Sequence, residues 1–69
     1  MEVTIATVQS AKMAEDIITE FAMIGNMRIV DTRNGLPVIQ GTIGIRIITY
    51  FVRQNGSREF EIIRKEGGD

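Results

Sequence analysis

Two runs in the C-terminal part of the chain, between Gly41 and Lys65, are rich in β-branched and aromatic residues mixed with polar ones, and Asn55-Gly56 separates them. Such runs, bounded by turn residues, are typical of β-strands. Asn-Gly is the most favourable pair for a two-residue hairpin turn, because both positions need a positive φ. This stretch therefore predicts a long C-terminal β-hairpin with a type I′ turn at its tip.

A two-residue turn at this point would fix which residues face one another across the hairpin. It would set Arg53 against Arg58 and Phe51 against Phe60, and residues that face one another share one side of the sheet. The predicted core side then carries Ile45, Ile47, Thr49, Phe51, Phe60 and Ile62. The other side carries Ile48, Tyr50, Val52 and Ile63 among charged residues, and a register slip of one residue would exchange the two sides.

The N-terminal half of the chain predicts one strand followed by one helix. Residues 2–8 alternate as a strand does, and apolar residues then recur every three or four positions between Ala11 and Ile24. Ser10 is placed to cap the start of this helix, and Gly25 to end it. One side of the helix is apolar and the other is charged, so we expect it to pack against a sheet.

Residues 27–32, after the helix, are predicted to form a second strand, and a turn at Asn34-Gly35 follows it. Residues 38–40 begin a third strand, which continues into the first strand of the long hairpin through a bulge or bend at Gly41 and Gly44. The predicted fold is α+β, in the order β-α-β-β-β, with one amphipathic helix on a mostly antiparallel sheet. We expect the first strand to lie parallel to a neighbour through a right-handed crossover.

The length of the chain, 69 residues, predicts one domain, which we place at residues 1–66 with a flexible tail at 67–69. A domain of this size buries only about 60% of its unfolded surface, and the chain has no cysteine for a disulfide. Small domains often gain stability by oligomerisation. We therefore expect a homodimer, joined through a strand edge or through the second sheet face, Ile48, Tyr50, Val52 and Ile63. The alternative is that these residues are there for their strand propensity alone.

Composition narrows the chemistry that the chain can perform. Histidine and cysteine are both absent, which excludes metal sites built on imidazole or thiolate and catalysis by Ser-His or Cys-His pairs. Glu15 and Asp16 are adjacent on the predicted helix and point about 100° apart, so they do not converge as a catalytic pair would. We expect no enzymatic activity, no cofactor and no metal. No apolar run approaches membrane-spanning length, so we expect a cytoplasmic protein without membrane contact.

The arginines suggest a second kind of function. All six lie at or after residue 28, although the net charge of the chain is −1. The predicted opposition of Arg53 and Arg58 would be unfavourable unless an anion lay between them. Arg46, Arg53 and Arg58 could thus contact an anion or nucleic acid, with Tyr50 stacking on a base. The alternative is that these arginines only keep strand edges soluble.

The sequence therefore predicts a small non-enzymatic binding or regulatory protein that acts through protein–protein contacts, as a homodimer. The near-neutral charge and the surplus of apolar residues favour a protein partner. Nucleic-acid binding through the arginine-bearing hairpin is the alternative. A third possibility is a small molecule bound in a cleft between two subunits.

Overall fold

The structure, a computed structural model, describes residues 1–67 of the chain. Within them the chain forms a single helix packed on one face of a five-stranded antiparallel sheet, whose strand order is β1-β5-β4-β3-β2. The elements are β1 (Glu2–Val8), α1 (Ala11–Ile24), β2 (Arg28–Arg33), β3 (Leu36–Ile43), β4 (Arg46–Gln54) and β5 (Phe60–Glu66). The predicted α+β fold, with its helix on an antiparallel sheet and its long C-terminal hairpin, is confirmed.

The position predicted for the first strand is wrong. Strand β1 pairs antiparallel with β5, at one edge of the sheet, and β2 forms the other edge. Helix α1 still connects two strands that run in the same direction, but these strands are not neighbours. Four inter-strand spacings of about 4.8 Å separate them, or about 19 Å. A helix of 14 residues is about 21 Å long, enough to cross the sheet from edge to edge.

Both ends of α1 are capped by its own flanking residues. Ser10 is extended, and its Oγ accepts a hydrogen bond from the Met13 N–H at 3.2 Å, as the sequence predicts. At the other end, the left-handed residue is Asn26 (φ 52°) rather than Gly25. The Met27 N–H then reaches back to the Ala22 carbonyl at 2.9 Å, which is the Schellman arrangement.

Two tight turns shape the middle of the sheet. Asn34 and Gly35 both have positive φ, 53° and 77°, so this Asn-Gly pair forms the type I′ turn between β2 and β3. Gly44 (φ 63°) begins a type II′ turn with Ile45 between β3 and β4. The bend predicted at Gly41 and Gly44 is therefore a complete turn. It divides one predicted strand into β3 and β4, so the sheet has one strand more than the predicted order.

The predicted register of the C-terminal hairpin is wrong. Residues 55–59 form a five-residue loop, closed by a hydrogen bond of 2.8 Å from the Asn55 N–H to the Glu59 carbonyl. Arg53 consequently faces Glu61 instead of Arg58, and its Nε lies 3.0 Å from the Glu61 carboxylate. The longer loop also pairs Val52 with Ile62. Apolar pairing and charge pairing across the strands thus outweigh the local preference of Asn-Gly.

This register places different residues beneath the helix from those predicted. Ile48, Tyr50 and Val52 of β4 lie on the helix side, where Tyr50 packs on Phe21 with ring centroids 5.0 Å apart. The main core cluster under the helix is fully aliphatic and aromatic; its buried members are Val8, Ala14, Ile18, Leu36, Ile39, Val52, Phe60 and Ile62. Burial of these side chains is the principal stabilising term of so small a domain.

The opposite side of the sheet, here called the back face, carries a small second cluster of Val38, Phe51 and Ile63. Long polar side chains close over it. The Arg33 guanidinium lies 4.6 Å from the centre of the Phe51 ring, and the Gln40 side chain donates to Thr49 at 3.2 Å. The stems of such side chains bury apolar surface while their polar ends stay in water.

The predicted partner surface is therefore not present. Ile48, Tyr50 and Val52 lie under the helix while Ile63 lies on the back face, so the four do not share one side. Ile48, Val52 and Ile63 are buried within the single subunit. At the C-terminus, the Gly67 N–H donates to the Ile47 carbonyl at 3.0 Å. Residues 68–69 of the predicted tail lie outside the described residues.

Candidate functional site

The two ends of the sheet differ in what they expose. At one end lie the end of α1, the β3–β4 turn and the first residues of β1 and β2. Here six large apolar side chains have about two-thirds or more of their surface in solvent. Ile24, Ile43 and Ile45 are 78%, 67% and 101% exposed. We call this surface the apolar end; its residues are Met1, Met23, Ile24, Ile29, Ile43 and Ile45.

The β3–β4 turn projects from this end of the sheet. The last residue of β5, Glu66, pairs with Ile48, and the first residue of β2, Arg28, pairs with Gln40. Residues 42–46 extend past both neighbouring strands, and we call them the finger. Because a turn of two residues closes it, the finger is short, and Ile45 stands at its tip.

An apolar groove runs between the finger and the C-terminal end of α1. Its volume is ≈ 210 Å³, and it is open to solvent on one side. The Phe21 and Tyr50 rings and Ile48 lie on the side toward the core, and Ile24 and Ile43 are its exposed walls. The groove contains no charged residue, so it suits an apolar side chain.

Gly41 allows one side of the groove to form. A Cβ at this position would lie 2.9 Å from Cγ of Met27, closer than packed carbon atoms approach. The absence of a side chain lets Met27 lie directly on β3. Met27 also joins the helix end to the sheet, because it packs against the core cluster and its N–H completes the cap of α1.

The arginines singled out from the sequence do not form one surface. Arg46 lies 3.3 Å from the Glu66 carboxylate, in the finger. Arg53 is bonded to Glu61 and lies 3.9 Å from Glu2, on the back face. Arg58 is in the loop at the opposite end of the sheet, exposed. The prediction that Arg53 faces Arg58 is wrong. The expectation that the two hold an anion between them is therefore wrong as well.

The titratable side chains of residues 1–67 lie at the surface or are only partly buried. Within residues 1–67 no polar or charged residue is buried, and no group of three or more acidic side chains is arranged to hold a metal ion. The pKa of Lys12 is raised, because its ammonium donates to the Asp16 carboxylate at 3.0 Å and is attracted by its charge. This pair is exposed near the start of α1, far from the groove.

Both edge strands are poorly suited to pairing with another strand. A register shift interrupts β1 between Thr4 and Ala6 and another interrupts β2 between Ile29 and Asp31. In β2 the Asp31 carboxylate also accepts the Thr32 N–H at 2.7 Å. Bulges and charges on edge strands are devices that discourage edge-to-edge association. The strand edge that the sequence offered as a second dimer surface is therefore disfavoured.

Two residues of the apolar end, Ile24 and Ile45, have sequence patterns that predict burial in the core. Ile24 fits the helical apolar period and Ile45 fits the strand alternation, yet both are exposed. A signal for Ile45 was present: a turn that begins with glycine favours Asn, Asp or Ser at its second position, and isoleucine is unusual there.

The surfaces of the subunit differ in what they offer a partner. One sheet face is covered by the helix, polar side chains cover the apolar cluster of the back face, and both edges are bulged. The apolar end is open. No helix within residues 1–67 combines the length and hydropathy that crossing a bilayer requires. No protein-family model, no curated protein and no solved structure matches this chain.

Proposed function

We propose that this chain is a non-enzymatic binding protein that acts through protein–protein contacts as a homodimer, and that the apolar end is its contact surface. The observation that carries the proposal is the concentration of six exposed large apolar side chains at one end of the sheet. A cytoplasmic location and a regulatory role are part of the same proposal.

The area of the apolar end supports association. Burial of one aliphatic side chain of this size removes about 60–120 Å² of apolar surface from water, so six of them offer about 360–720 Å² per subunit. A stable interface buries about 800 Å² per partner, of which about 65% is apolar in homodimers. The two quantities agree. On protein surfaces, apolar patches of this size often mark interaction sites.

A protein partner is preferred to nucleic acid because of how the arginines are placed. Arg46 and Arg53 are each within salt-bridge distance of carboxylates, so a phosphate would have to displace an existing partner. Nucleic-acid binding draws its affinity from several cations that follow one phosphate backbone. Arg46, Arg53 and Arg58 lie at three separate places on the subunit.

Sedimentation equilibrium of the unmodified protein tests the proposal. We expect a reversible equilibrium between the 7.7 kDa chain and a species of twice that mass as concentration rises from nanomolar to hundreds of micromolar. A single 7.7 kDa species across that range would contradict it.

Anisotropy titrations with a labelled duplex and a labelled single strand complete the test. Binding that weakens steeply with added salt would favour the nucleic-acid alternative.

A further inference from the structure

Ile45 occupies a position that the fold does not require to be apolar. It is the second residue of the type II′ turn, it is 101% exposed, and it stands at the tip of the finger. An asparagine or serine would suit this turn better. An isoleucine at such a point exposes a full aliphatic side chain to water without any gain to the subunit.

The groove beside the finger offers matching space for such a side chain. Its cavity of ≈ 210 Å³ is lined by aromatic and aliphatic side chains. For comparison, an apolar cavity of roughly 150 Å³ accommodates a benzene molecule. Ile45 itself does not line the groove of its own chain, since Ile43 of the same hairpin fills that place.

We infer that Ile45 of one copy inserts into the groove of a second copy, and that the second copy returns the same contact. The inference rests on the proposed function, in which the protein is a homodimer, and it specifies how the two apolar ends meet. A contact in which each subunit supplies the same projection and the same groove is satisfied by a two-fold axis.

The size of the apolar end also favours a second copy as the occupant. Its six exposed apolar side chains offer about 360–720 Å² per subunit, and 65% of the roughly 800 Å² that each partner buries in a stable homodimer is about 520 Å². A second copy supplies an apolar end of the same area, so each subunit would cover the exposed side chains of the other.

Three single variants test the projecting Ile45 side chain and the groove separately. Ile45→Ser removes the projecting side chain and keeps a turn-compatible residue. Ile24→Lys alters an exposed wall of the groove and places a cation at a helix end, where it is tolerated. Ile5→Thr is the matched control, because Ile5 is an exposed isoleucine of the β1 bulge. We expect the first two to raise the dimer Kd at least about 100-fold and the control to change it by less than about threefold.

Mixing the two variants gives the sharper result. In a mixed dimer of Ile45→Ser with Ile24→Lys, the intact Ile45 of one chain meets the intact groove of the other. Each homodimer has no such contact. We therefore expect the mixed dimer to form at concentrations where both variants alone are monomeric, as measured by energy transfer between two differently labelled chains.

The outcomes distinguish the inference from the proposed function. A monomeric unmodified protein overturns both. A dimer that Ile45→Ser leaves intact, or a mixture that shows no preference for the mixed dimer, overturns the exchange of Ile45 and leaves the homodimer standing. A fold check by circular dichroism on each variant shows whether lost association reflects lost structure; Ile45→Ser is expected to retain full stability.

Discussion

The apolar end and the opposite end of the sheet are built from the same kinds of connection but carry different side chains. The opposite end, here called the polar end, consists of the β1–α1 junction at Gln9-Ser10, the Asn34-Gly35 turn and the loop at 55–59. Its connecting residues are Gln, Ser, Asn, Gly, Arg and Glu. The apolar end has a helix exit and one tight turn, yet it exposes isoleucine and methionine.

The two tight turns show what this difference means. At the polar end, Asn34 and Gly35 both have positive φ, and their identities follow from that geometry. At the apolar end, the positive φ accounts for Gly44 but nothing in the turn accounts for Ile45. Residues that the fold explains are poor guides to function. Residues that it leaves unexplained are concentrated at one end of this molecule, and that end is where we place the contact.

The largest expected effect comes from charging each end in turn. The double variant Ile24→Lys with Ile43→Lys should raise the dimer Kd by at least about 1,000-fold, because four ammonium groups would lose water at the interface. Sedimentation velocity measures the loss. The matched double variant Gln9→Lys with Ser57→Lys adds the same charge to exposed positions of the polar end. Equal weakening by the two pairs would show that net charge, and not the apolar end, controls association.

A second test concerns the side of the groove formed by Met27. Gly41→Ala introduces a methyl group 2.9 Å from Met27 Cγ, so we expect it to lower the free energy of unfolding by about 1–3 kcal/mol. Urea denaturation of dilute protein measures this. Adding Met27→Ala should recover part of the loss, since it removes the clash. If the losses of unfolding free energy caused by the two single substitutions simply add in the double variant, the two residues do not touch.

A third test uses the turn glycines as a matched pair. Gly44→Ala and Gly35→Ala each force an alanine to a positive φ, at a cost of at least about 1–2 kcal/mol to the folded subunit. Thermal unfolding should show a loss of stability in both variants. The dimer Kd should rise with Gly44→Ala, because the finger is displaced, and stay constant with Gly35→Ala. If the dimer Kd rose equally in both variants, the contact could not be assigned to the apolar end in preference to the polar end.

The smallest expected effect is that of salt. Contact between apolar ends should change its Kd by no more than about threefold from low to high sodium chloride, because screening acts mainly on charged pairs. Sulfate should tighten the dimer, since it strengthens apolar association. Light scattering across the salt series measures both. Dissociation of the dimer in sodium chloride would assign the contact to the charged residues instead.

The sequence predicted the elements of this fold well because their signals are local. The helix period between Ala11 and Ile24, the Ser10 cap and the turn at Asn34-Gly35 are all present in the structure. The fold class follows from the order of these elements. The pairing of β1 with β5 joins the two termini of the chain, and no local pattern contains that information.

The partner surface predicted from the sequence was wrong because it depended on one register. A two-residue turn at Asn55-Gly56 would have exchanged the sides of β5 relative to β4. The five-residue loop pairs Phe51 with Ile63 and Arg53 with Glu61, and thereby satisfies both sides of the sheet at once. The correct loop could be chosen only by comparing all the cross-strand pairs together. The strong local preference of Asn-Gly for a two-residue turn favoured the wrong loop.

Amide chemical shifts measured during dilution test the central claim most directly, since they locate the contact as well as detect it. We predict that the shifts change with concentration at residues 23–25 and 42–47, at the apolar end, while residues 55–59 at the polar end stay constant. Shifts that are independent of concentration up to the millimolar range, or that change mainly at residues 55–59, would contradict the account.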